Sequence, residues 1–146
     1  MKKTVKIGFL IVLLAFAVTA CATGSANVPL PQIINIIPPG SDVPPELAAF
    51  SGKWEGWWQR GVNAVLIVKY IDSKRAEIIY AWGENDYTQK GYIFCTATIL
   101  REGNVRLKFY GKSGQEFTVT IINPKKIEVT YSFKQRTIFG IMHKKD

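Results

Sequence analysis

From Val105 to Phe133 apolar and polar residues alternate almost without a break. Val105, Leu107 and Phe109 alternate with Arg106 and Lys108; Phe117, Val119 and Ile121 alternate with Thr118 and Thr120. Ile127, Val129, Tyr131 and Phe133 alternate with Glu128, Thr130, Ser132 and Lys134. Side chains of a strand point to opposite faces in turn, so a period of two marks half-buried strands rather than helices. Short turn signals separate these runs and earlier ones: Gln59–Gly61, Asp72–Lys74, Gly83–Asp86, Glu102–Asn104, Gly111–Gly114, Asn123–Lys125 and Lys134–Gln135. Seven turns bound eight strands between Gly52 and Lys145. Connections this short permit only antiparallel neighbours, because parallel pairing needs a long crossover. No segment has the apolar period of an amphipathic helix.

These features predict an all-β domain over residues 50–146, an eight-stranded antiparallel up-and-down barrel. Closure removes the edges that otherwise invite aggregation. Two packed sheets account for the same alternation. A barrel of eight strands has an interior that side chains just fill, or that holds one small ligand.

The N-terminus carries a different pattern. Lys2, Lys3 and Lys6 precede an uncharged apolar run from Ile7 to Val18, which is shorter than the roughly 20 residues that span a bilayer. Small residues and Cys21 follow, the layout of a secretory signal peptide over residues 1–20. Val18-Thr19-Ala20-Cys21 resembles the bacterial lipobox, which implies cleavage before Cys21 and attachment of lipid to its sulfur. The resemblance implies a chain held in the cell envelope by a lipid anchor. With Ala22 rather than aspartate after the cysteine, it implies the outer membrane in a two-membrane bacterium.

Residues 21–49 hold six of the seven prolines and no lysine or arginine. Proline fixes φ and removes backbone donors, so this stretch reads as an extended tether. Ile33-Ile34-Asn35-Ile36-Ile37 is too apolar for a solvated linker and is expected to dock, on its own domain or on a partner.

Three tryptophans crowd Lys53-Trp54-Glu55-Gly56-Trp57-Trp58. In a strand Trp54 and Trp58 share one face, and Trp57 stands on the other with Lys53 and Glu55. Phe50-Ser51-Gly52-Lys53-Trp54 resembles the Gly-x-Trp opening of the calycins, the group of lipocalins, avidins and fatty-acid-binding proteins. That resemblance implies a lipocalin-like barrel in which Trp54 plugs the closed end and a basic residue near the last strand, Arg136, packs over it. Ala76 to Gly83 also resembles part of a small bacterial domain of unsettled function. The polar ring by which avidins hold biotin has no match. Trp58 is expected nearer the opposite mouth, with Tyr80, Trp82 and Tyr131 lining an apolar site whose rim is wet. The same aromatics also suffice simply to fill a barrel. Gly56 is expected to leave space beside Trp54, and Trp57 is a candidate partner surface unless the Ile33–Ile37 segment covers it.

Little in the chain suggests catalysis. His143 is the one histidine, and Cys95 has no second thiol to pair with once Cys21 is lipidated, so it reads as a buried apolar group. Neither metal-ligand spacing nor a nucleophile elbow is present, and Glu84 and Asp86 lie in a turn where solvated acids are normal. Formal charge is +8 overall; without Lys2, Lys3 and Lys6, 16 basic residues face 11 acidic ones, or +5. The basic residues are scattered, not arranged as a nucleic-acid stripe. The expected function is a non-enzymatic, cofactor-free and metal-free binding barrel for a small apolar or amphipathic ligand, anchored to a membrane. The alternative is a filled interaction module that meets a protein or cell-wall partner through Trp57 and Ile33–Ile37.

Overall fold

Every one of the seven turns falls between two strands. The computed structural model describes residues 27–146, so the signal region and Cys21 lie outside the described residues. The strands are β1 (Gly52–Trp58), β2 (Asn63–Ile71), β3 (Arg75–Trp82), β4 (Gly91–Leu100), β5 (Arg106–Tyr110), β6 (Glu116–Asn123), β7 (Lys126–Phe133) and β8 (Arg136–Lys145). Each pairs antiparallel with the next, and β8 returns to β1 from Lys53↔Lys145 to Trp58↔Gly140, closing an up-and-down barrel. Two stacked sheets are therefore not the arrangement.

Closure sends one side-chain set inward. Trp54, Leu66, Val68, Ile78, Leu107, Phe109, Val119, Ile127, Val129 and Met142 form the interior, where among the described residues no charged side chain is buried. The outer face carries Lys53–Glu55, Lys69–Glu77 and Lys108–Glu116 ion pairs. A barrel that spans a membrane has the reverse distribution. In β2 the pairing slips between Val68 and Tyr70, a bulge that puts Ile71 back on the inner face after Leu66 and Val68.

One end is sealed by the segment that precedes β1. It contains a single helical turn, α1 (Pro45–Ala48), begun by a proline whose missing N–H costs nothing at that position. Val43, Leu47 and Phe50 join the core, above Trp54. The Trp54 indole N–H donates to the Phe50 carbonyl at 2.8 Å, so the plug is tied to the cap that covers it.

The basic lid on Trp54 is Lys144, not Arg136. Its Nζ stands 5.0 Å from the ring centre and donates to the Ala49 carbonyl at 3.2 Å. Lys144 is opposite Trp54 in the β1–β8 register, whereas Arg136 pairs with Phe133 at the far end of β8. Gly56 leaves no space beside the plug: a side chain there would strike the Ile141 carbonyl and the Met142 Cα, so glycine lets β1 and β8 approach closely.

The proline-rich stretch is not free over its described part. Val28, Leu30 and Ile34 pack on Val65, Ile67, Ile79 and Ala81, the outer face of β2 and β3. The Ile37 N–H donates to the Lys69 carbonyl, inside the bulge, at 2.8 Å. Ile33, Ile36 and Ile37 remain exposed.

Candidate functional site

The open end is framed by the connections β1–β2, β3–β4, β5–β6 and β7–β8. Below them the interior is aromatic. Trp58 ends β1, Tyr80 and Trp82 lie at the end of β3, Phe117 near the start of β6 and Tyr131 near the end of β7. The Trp58 indole N–H donates to the Tyr80 hydroxyl at 2.8 Å, both groups being buried. Tyr80 stacks on Trp82 at 5.7 Å between ring centres, and Phe117 lies 5.2 Å from Tyr131 with the rings edge to face. Phe109 and Phe117 are parallel at 4.8 Å, Phe109 fully buried behind Phe117.

Two glycines hold the tryptophans in place. Gly140 is the register partner of Trp58 and Gly91 that of Trp82. A Cβ on Gly140 would fall 3.0 Å from the Trp58 ring, and one on Gly91 would fall 2.9 Å from the Trp82 ring. Each ring lies across the bare backbone of its neighbour, the arrangement by which an aromatic covers a strand glycine. The Trp82 indole N–H also donates to the Gln89 carbonyl at 2.8 Å, tying it to the 83–90 loop.

Between these rings and the loops is a cavity of about 660 Å³, open to solvent. Trp58, Tyr80, Trp82 and Tyr131, the four residues expected at a ligand site, all line it. Arg136 lines it too, so the structure puts this residue at the mouth instead of the plug. Phe117, Ile93, Arg60, Lys112 and Tyr87 line it as well and were not expected there. Phe117 was legible: its strand alternation, counted from Val119, puts it inward. The loop residues carry no such parity, which is why composition alone does not find them.

The barrel wall is incomplete beside this cavity. β4 pairs with β3 from Gly91 to Thr98, but its pairing with β5 covers only Thr98↔Lys108, Ile99↔Leu107 and Leu100↔Arg106. The strands separate toward the mouth. A second cleft of about 540 Å³ sits in this seam, lined by Tyr92, Ile93, Phe94, Tyr110, Gly111 and Lys112. Tyr92, Ile93, Gly111 and Lys112 border both spaces. Exposed Tyr92 and Phe94 meet edge to face at 5.7 Å on its outer lip.

Burial keeps the phenols and the thiol of this inner face neutral. Burial pushes the Tyr80 hydroxyl far up, outweighing the indole hydrogen bond that acts the other way. Burial also raises Tyr131. The Cys95 thiol, inward on β4, is pushed up to about 11 by burial. A neutral thiol is a poor nucleophile. Among the described residues no three His, Cys, Asp or Glu side chains gather as metal ligands.

Trp57 is outside the barrel and 55% exposed, 6.4 Å from His143 between ring centres. The proline-rich segment lies on β2 and β3 and leaves it uncovered.

No family model matches the chain, and no curated protein does. Among solved structures it is similar to a de novo designed fluorescence-activating beta barrel, with a TM-score of 0.52 and 15% identity. The match covers 66% of this chain and 94% of that one. At this identity the likeness concerns the fold: a closed eight-stranded antiparallel barrel.

Proposed function

We propose that the barrel is a non-enzymatic binding protein of the cell envelope, anchored through lipid on Cys21, that takes a small apolar or amphipathic ligand into its open end. One observation carries the binding reading: Trp58, Tyr80, Trp82 and Tyr131, from three strands, converge on one cavity of about 660 Å³. That size lies within the range of small-molecule sites, roughly 300–1,000 Å³. The opposite end is sealed by Trp54, Phe50 and Leu47, so the site has a floor and one main entrance. The anchor reading rests on the basic, apolar and Val18-to-Cys21 segments of the sequence.

Two mass spectra of the protein extracted from its native membrane test both halves. Under denaturing conditions the mass should equal residues 21–146 plus acyl groups; full-length, unmodified chain would overturn the anchor. Under native conditions a further mass should be present that denaturation releases. A native mass equal to the denatured one, even after incubation with membrane lipid extract, would count against the binding barrel.

A second reading has its own observation. Trp57 is exposed on the outer face, opposite Ile141 in the β1–β8 register, with Phe139 also exposed on β8. This surface suits contact with an envelope partner, and it does not compete with the cavity.

A further inference from the structure

We propose that the ligand carries a single anionic head, a carboxylate, sulfate or phosphate, held at the mouth by Arg60, Lys112 and Arg136 while its apolar body lies among the aromatic rings. This rests on the binding reading above and adds the ligand's charge and orientation.

The cations are placed by topology. Three of the four connections that frame the mouth bring a cation to the cavity: Arg60 lies within β1–β2, Lys112 within β5–β6, and Arg136 directly follows β7–β8 as the first residue of β8. Among the described residues no carboxylate lines the cavity. Glu84 and Asp86, in the fourth connection, are exposed and stand outside its lining. On the outer wall, by contrast, Lys53, Lys69 and Lys108 each have a glutamate partner. Among the described residues none of the three mouth cations is in an ion pair.

The arrangement separates two chemistries along the barrel axis. Below the rim, Trp58, Tyr80, Phe117 and Phe109 leave no charged side chain to meet a polar group. The charged side chains that line the mouth are of one sign and lie next to a low-dielectric wall, which strengthens their field over the opening. Arginine offers an oxyanion a planar fork of donors, and lysine a mobile point charge. A neutral ligand would leave these groups unused, and a cationic one would be repelled.

The test uses the chain from Ala22 onward, which contains all described residues and needs no detergent. The neutral dye N-phenyl-1-naphthylamine is first bound, then displaced by dodecanoate, dodecanol or dodecyltrimethylammonium below their aggregation concentrations. Dodecanoate should displace it at about tenfold lower concentration than dodecanol, the factor expected of charge-assisted hydrogen bonds at an exposed rim, and the cationic detergent should be weakest. Raising salt should narrow the gap. In the triple variant Arg60→Gln, Lys112→Gln, Arg136→Gln dodecanol should compete as before and the preference for dodecanoate should vanish. Equal displacement by all three in the native chain would overturn the anionic head. A preference that persists in the triple variant would overturn its assignment to these residues. Failure of the dye itself to bind would strike the binding reading beneath.

Discussion

At the scale of single residues, the Trp58–Tyr80 hydrogen bond fixes two of the rings that line the cavity. Both partners are buried, and the phenol oxygen accepts the indole proton. Tyr80→Phe keeps the ring and its stacking but leaves the indole N–H buried without a partner. The expected cost is about 1–3 kcal/mol of stability, read as a lower denaturation midpoint at unchanged m-value. Equal midpoints would show that the indole is satisfied elsewhere. The face taken by each tryptophan is legible in the sequence, because strand parity alone separates Trp54 and Trp58 from Trp57. The partner over Trp54 is not. Parity says which face a residue takes but not how far along the barrel axis it sits. Arg136 and Lys144 are both on β8, and only the register with β1 puts Lys144 beside the plug.

At the scale of elements, all eight strands could be read from alternation and turn chemistry, whereas α1 could not. A helix of four residues has no period to detect, and Pro45-Glu46-Leu47-Ala48 became helical because Leu47 fills the end of the barrel. Another signal was present but incomplete. Ala64 to Val68 is a continuous apolar run, where a strand with one wet face should alternate. Both its faces are buried, the outer one beneath Val28, Leu30 and Ile34, which is what the apolar part of the proline-rich stretch covers. The β4–β5 seam belongs to this scale too. From Gly91 to Ala97 every second backbone amide faces an opening instead of a ladder partner. Hydrogen exchange should therefore be fast at alternate amides of Tyr92–Ala97 and slow throughout Val65–Val68, which is paired on both sides. Uniform protection along β4 would mean the seam is closed in solution.

At the scale of the whole molecule, the barrel divides into a sealed half and an open half. Lys144, Trp54, Phe50 and Leu47 fix the first; the aromatic cavity with its cationic rim occupies the second. The chain is thus a cup, and by our proposal its N-terminal segment, bound along the outer wall of β2 and β3, leads from the cup to the lipid on Cys21. Trp57 stands outside this cup and Trp82 inside it, so the two distinguish a ligand site from a partner surface. The most direct measurement is the affinity of N-phenyl-1-naphthylamine for three chains starting at Ala22: native, Trp82→Ala and Trp57→Ala. Binding inside the mouth predicts that Trp82→Ala weakens the dye about tenfold, for the loss of one aromatic wall, with the β-sheet spectrum unchanged. Trp57→Ala should bind as the native chain does. Equal affinity in all three, or a loss confined to Trp57→Ala, would contradict a ligand site in the open end.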